Sequence, residues 1–257
     1  MQRDEVLKPQ ILRVSCENFR VYGVRRVWRR LLPEGLEVVR CTVSRLMKAM
    51  GLKGVVRGKP HRTAFSDKSA ACPLDRVNRS FEAPAPNVFW VSDFTCVANW
   101  SGFVCAAFMI DVYARKIVRW RASRSALASL GLTAREQAPH DRRPVPGGGL
   151  FCHPDRGSQY VSIKGAERLA EACLEPSVEI VGDSHGSAFA EKINGLCKAG
   201  VIWRKGLWRS LDAVAYATFE WVDWYNGRRL LELIGNIPPA EAEAAYYAVM
   251  ENEAVAA

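Results

Sequence analysis

Apolar residues recur at two different periods along the chain, and the change between them divides it. Near the front the spacing is helical. Ile11, Leu12, Val14, Phe19 and Val21 predict a short helix over residues 9–21, and Val24, Val27, Trp28 and Leu31 predict a second over residues 22–32, closed by Pro33-Glu34-Gly35. Thr42 is placed to cap a third helix, whose stripe is Val43, Leu46, Met47 and Met50 and whose stop is Gly51. From residue 88 the period shortens. Runs over 88–97, 103–113 and 116–122 are dominated by aromatic and β-branched residues, and their connections are tight enough for an antiparallel meander. Beyond them come a helix-length segment over 125–138, a short strand over 150–152 and a helix over 162–174. A strand over 177–181 and helices over 187–201 and 210–225 follow, the last turning Leu211, Val214, Thr218, Trp221, Val222 and Tyr225 inward. Three antiparallel strands followed by alternating helices and strands predict an α/β layer fold behind a small all-α module. The expected division is a helical module over 1–53, a basic linker over 54–87, a core over 88–227 and a C-terminal extension over 228–257.

Composition sharpens this division. The 257 residues are 49% hydrophobic and carry a net charge of +9, which fits a globular chain with a sizeable core. Residues 1–80 hold 18 Lys or Arg against 7 Asp or Glu, a balance of +11; residues 81–257 hold 18 against 20, a balance of -2. All the excess positive charge therefore sits in the first third, as expected for a module that meets a polyanion. The third predicted helix presents Ser44, Arg45 and Lys48, with Arg40 just before it, as a helix-turn-helix recognition helix in a major groove would. Arg25, Arg26, Arg29 and Arg30 on the second helix, with Lys53, Arg57 and Lys59 behind the third, extend the basic surface. Double-stranded DNA is the expected partner. An anionic membrane surface would need a basic helix with a broad exposed apolar face. The longest apolar run, residues 102–110, stops at Asp111, far short of a bilayer span. Two acids close to Met1 and no apolar segment beside them argue against a secretory signal, so the cytoplasm is the expected compartment.

Eight cysteines are spread at wide intervals without a C-x-x-C pair. In a cytoplasmic chain this predicts buried free thiols rather than disulfides or a zinc site.

Three acids stand out. Asp93 interrupts the first strand-like run, Asp155 follows the short fourth strand, and Glu191 lies in the helix over 187–201. A carboxylate inside a β-rich apolar run is costly unless compensated. Three oxygen donors on two strands and a helix suit a hard divalent cation, Mg²⁺ with Mn²⁺ as a substitute. Taken singly, each is equally accounted for as a turn or capping residue.

The words around these acids carry more. Trp90-Val91-Ser92-Asp93-Phe94-Thr95, the block over 108–120, His153-Pro154-Asp155-Arg156-Gly157-Ser158-Gln159-Tyr160 and Glu191-Lys192-Ile193-Asn194-Gly195-Leu196-Cys197-Lys198 resemble the signature blocks of DDE-type insertion-sequence transposases. These are second-reading-frame products grouped with retroviral integrase catalytic cores. The 35 residues between Asp155 and Glu191 match the interval that family favours. The block over 22–29 and that over 40–51 resemble the family's helix-turn-helix module. The resemblance implies a ribonuclease H-like core in which Asp93, Asp155 and Glu191 hold two Mg²⁺ ions for hydrolysis at a transposon end and transesterification onto target DNA. It also implies a homo-oligomer pairing two DNA ends. The chain departs from the family's words at Pro154, at Gly186-Ser187 and at Lys192. Two other readings stay open: a DNA-binding remnant that occupies ends without cutting them, and a metal-dependent nuclease without strand transfer.

Overall fold

The computed structural model describes residues 2–55, 83–100, 102–124, 150–154, 174–176, 185–202, 204, 206 and 208–256. Three helices open the chain: α1 (Gln2–Glu17), α2 (Val24–Leu31) and α3 (Arg40–Ala49). They pack through Leu7, Ile11, Val14, Val27, Leu31, Val43, Leu46 and Met47, all buried. Two expectations need correction. α1 begins at Gln2, not near Pro9, which sits inside it; the missing Pro9 N–H costs one bond at the middle of a helix whose buried face runs from Leu7. α3 is capped at Val39, in extended conformation, so Thr42 lies within the helix. Gly51, at φ +67°, ends the unit as expected. The chain then turns back: the Val55 N–H donates to the Val21 carbonyl at 3.2 Å. Gly54 lies so close to Gly23 that a Cβ would come 2.6 Å from the Gly23 Cα.

The sheet has the order β3-β2-β1-β4-β5. Strands β1 (Phe89–Asn99), β2 (Gly102–Asp111) and β3 (Ile117–Ser123) form the expected antiparallel meander. β4 (Leu150–Pro154) pairs parallel to β1, and β5 (Leu174–Pro176) parallel to β4. β1 is thus the central strand, and this is the ribonuclease H-like arrangement. The predicted helix over 162–174 cannot reach its last residue, since Leu174 opens β5. The segments over 125–138, 155–173 and 177–181 lie outside the described residues.

Cysteine usage also needs correction. Cys96 and Cys105, nine apart in sequence, face each other directly across β1 and β2 and are joined as a disulfide. Cys16 and Cys41 are exposed, and Cys197 is the buried free thiol among the described residues. Spacing along the chain misled because hairpin register, not sequence interval, decides which thiols meet.

Three further helices follow: α4 (His185–Cys197), continued by a π-helical turn Lys198–Ile202, and α5 (Leu211–Gly227) pack on the sheet, and α6 (Pro239–Ala256) packs on α5. Ser210 caps α5 by accepting from the Ala213 N–H at 3.1 Å. α5 buries Val214, Ala217, Thr218, Trp221, Val222, Trp224 and Tyr225, with Trp221 edge-on to Phe108 of β2. Its end also receives the helical unit. Trp224 Nε1 donates to Asn18 Oδ1 at 3.0 Å, and Phe19 stands edge-on to the Trp224 ring. The Tyr22 hydroxyl accepts from the Leu230 N–H at 2.9 Å and donates to the Arg228 carbonyl at 3.2 Å. The helical unit and the sheet layer therefore share one continuous apolar core.

Candidate active site

Asp93 lies at the middle of the central strand with only 6% of its surface exposed. Its strand neighbours are mostly apolar, and its cross-strand partner is Phe108. α4 packs over β1, anchored by Ile193 and Cys197, each 1% exposed. Burial pushes the Cys197 thiol up to about 12, so it is a packing group rather than a nucleophile. Between these anchors Asn194, also 6% exposed, donates from Nδ2 to Asp93 Oδ2 at 2.5 Å. Glu191 precedes Asn194 by three residues, which makes them neighbours on one helix face, and it is exposed. It stands in the second turn of α4, past the first-turn positions where the helix dipole would account for it. Ser92 Oγ and Thr95 Oγ1, on either side of Asp93, are buried without a hydrogen-bond partner.

β4 ends at Pro154, whose Cα partner on β1 is Ser92. Asp155 follows and lies outside the described residues. Among the described residues no three His, Cys, Asp or Glu side chains form a group able to hold a metal ion. The structure thus brings the elements of Asp93 and Glu191 together and leaves the third expected acid undescribed.

Sequence reasoning passed over two residues here. Asn194 was quoted only as part of a signature word. Asp111 stood only at the end of an apolar run and within the block over 108–120, with no role given to it, yet it is fully buried. It accepts from Asn87 N at 2.6 Å, Trp90 Nε1 at 3.1 Å, Tyr113 N at 2.9 Å and Ala114 N at 3.3 Å. Desolvation raises its pKa, against the pull of these four donors. The available signal was Asp followed by a tight turn, the setting in which an Asp side chain accepts from the N–H two residues on. α6 closes over this turn: Tyr246 stands edge-on to Tyr113, Asn87 Nδ2 donates to the Tyr247 hydroxyl at 3.0 Å, and Glu243 pairs with Lys116.

The basic residues divide between two helices. On α3, Arg40, Ser44, Arg45 and Lys48 are exposed, as is Lys53 beyond it. Arg45 makes a two-pronged pair with Asp4 of α1 at 2.9 and 3.0 Å. On α2, Arg25 pairs with Glu232 at 2.8 Å and Arg30 lies 3.7 Å from Glu34. Arg26 lies over the Tyr22 ring, and Arg29 is half-buried. Arg57 and Lys59 lie outside the described residues. Arg25 and Arg30 of α2 and Arg45 of α3 thus already have acidic partners within the chain, and all four α3 residues are exposed.

Residues 83–184 match the model of the integrase core domain, and residues 2–60 that of an HTH-like domain. With the strand order above, these define the class: a DDE-type polynucleotidyl transferase behind a helix-turn-helix-like unit. The chain is 55% identical over its whole length to the transposase for insertion sequence element IS629 of Shigella sonnei, covering 85% of that protein. It is 57% identical over 143 residues to the transposase for insertion sequence element IS3411 of Escherichia coli, covering 56% of this chain and 59% of that one. The chain belongs to the insertion-sequence transposases. Among solved structures, the simian T-cell lymphotropic virus intasome in complex with PP2A regulatory subunit B56 gamma aligns over 86% of this chain and 70% of its own. The TM-score is 0.51 at 13% identity, a likeness of fold alone.

Proposed function

We propose that Asp93, Asp155 and Glu191 are the acids with which this transposase cleaves transposon ends and joins them to target DNA, using Mg²⁺ or Mn²⁺. The observation that carries the reading is the 2.5 Å bond from Asn194 to Asp93. It ties the central strand to the helix face that presents Glu191. The parallel register of β1 and β4, which ends at Ser92 and Pro154, supports the third member, since Asp93 and Asp155 are the next residues of the two strands' sequences. The donor set fits a hard cation, being carboxylate oxygens with the unpartnered Thr95 hydroxyl on the Asp93 side of β1. When bound, two such ions would activate the attacking oxygen, from water in cleavage and from a 3′-hydroxyl in joining, and stabilise the leaving oxygen. The chain's own task is to hold three carboxylates at one place while α3 grips the duplex.

In this reading Arg40, Ser44, Arg45 and Lys48 meet the major groove, and Arg25, Arg26, Arg29, Arg30, Lys53, Arg57 and Lys59 meet phosphates. The working division remains a DNA-reading unit over 1–53, a linker over 54–87, a catalytic core over 88–227 and an extension over 228–257. Two copies would pair two ends, in the cytoplasm. No helix among the described residues is long and apolar enough to cross a membrane. The deciding assay is metal-dependent cleavage and joining of end DNA by the wild type and by Glu191→Gln. Loss of both products in the variant is expected. Equal products would remove the acids from the chemistry, DNA binding without product from either would leave a DNA-binding remnant, and cleavage without joined molecules would leave a nuclease.

A further inference from the structure

From the Asp93–Asn194 contact we infer that Asn194 is a positioning residue, the pin that sets the Asp93 carboxylate against the cation-binding face of α4. The inference rests on the proposed role of Asp93 and assigns a task to a residue outside the acidic set.

Three features carry it. First, the contact is buried at both ends, Asp93 and Asn194 each being 6% exposed, and the Nδ2 to Oδ2 distance is 2.5 Å. An amide bond at such a place fixes the carboxylate torsion rather than decorating a surface. Second, Asn194 cannot follow a moving carboxylate. The packed residues Ile193 and Cys197 hold its segment of α4 against the sheet. The donor is part of the scaffold, and Glu191, three residues earlier on the same rigid helix, inherits its position relative to Asp93. Third, the amide is neutral. A Lys or Arg at this position would also orient Asp93 but would cancel the charge that a cation must find there. Asn orients the carboxylate and leaves its negative charge in place. Donors that orient metal-holding carboxylates in this way typically change metal affinity by about 10–100-fold when removed.

The test uses the full chain. Mn²⁺ binding is measured by titration calorimetry without DNA, thermal unfolding is measured without metal, and end cleavage is followed against Mg²⁺ concentration. The variants are Asn194→Leu, which keeps the size and removes the donor, Asn194→Ser, which shortens it, and Asp93→Asn. Both Asn194 variants are expected to bind Mn²⁺ about 10–100-fold more weakly and to need correspondingly more Mg²⁺ for half-maximal cleavage, with part of the rate recovered at high metal. If either Asn194 variant that folds binds Mn²⁺ like the wild type, with any defect confined to its melting temperature, the residue is structural and the inference is overturned. Asp93→Asn separates the two levels. If it loses Mn²⁺ binding while the Asn194 variants keep it, the positioning role alone fails. If it binds Mn²⁺ like the wild type, the reading of Asp93 falls and the inference falls with it.

Discussion

Two buried aspartates lie on adjacent strands of the same sheet, and their surroundings could hardly differ more. Asp111, at the end of β2, is sealed completely and accepts from four N–H groups, three of them backbone amides in its own turn or just before β1. Asp93, in the middle of β1, takes its amide bond from a helix that also carries another acid. One carboxylate is consumed in holding a turn together. The other is tied by a side-chain amide to a separate element, the helix that also carries Glu191. Burial of a carboxylate is therefore no guide to its task; the origin of its donors is.

The strongest way to break this contrast is to neutralise each acid in turn. Asp93→Asn should lower metal-dependent end cleavage by roughly a thousandfold or more while the chain keeps its fold by circular dichroism. Asp111→Asn should do the reverse. Its new NH₂ group would face donors where an acceptor is needed, costing about 2–4 kcal/mol, read as a lower urea midpoint, with cleavage retained by the folded fraction. A stable but inactive Asp111→Asn would show that the two acids had been assigned the wrong way round.

A smaller effect of the same satisfied kind belongs to Tyr22, whose hydroxyl both donates and accepts. Tyr22→Phe orphans the Leu230 N–H and should cost about 1–2 kcal/mol in chemical unfolding. Protonation sharpens the comparison more gently. Desolvation raises Asp111 in the folded chain above its unfolded value, so the folded state binds its proton more tightly. Stability from this group is then greatest below about pH 3.9, the unfolded value. It declines as pH rises through the raised folded value. Denaturation midpoints of wild type and Asp111→Asn measured from pH 4 upward should diverge in that sense, the wild type losing ground as pH increases. The smallest effect on stability concerns Arg45, exposed at the surface and paired with Asp4. Arg45→Ala should leave the melting temperature unchanged and weaken binding to the end sequence by about 1–3 kcal/mol while relaxing its sequence preference, read by titration against end and scrambled DNA.

How much of this was legible beforehand depended on how local the cause was. The meander β1–β3 was visible because aromatic and β-branched runs declare themselves within ten residues, and α5 because Ser210 and a regular stripe mark both its start and its face. α1 was cut short because Pro9 was given the weight of a helix start, whereas burial of Leu7 and Ile11 against the other two helices outweighs one lost bond. α6 offered no stripe to read. It is rich in Ala and Glu and is held by Glu243, Tyr246 and Tyr247, whose partners are 130 or more residues away in Tyr113 and Asn87 and nearly as far in Lys116. At the site, Asp93 and Glu191 were marked by their surrounding words. Asn194 was not, because a neutral side chain in a helix carries no sign of meeting a strand 101 residues earlier. The pairing of Cys96 with Cys105 was hidden for the same reason, being a matter of register.

The Tyr22 hydroxyl bond to the chain beyond α5 has one more outcome. Cutting after residue 55 would not liberate a self-sufficient DNA reader; it would strip the cover from Trp224 and leave Tyr22, Phe19 and Asn18 facing water. Exchanging front ends between related elements to redirect their DNA preference should therefore succeed only when the graft brings along residues that fit the same tryptophan.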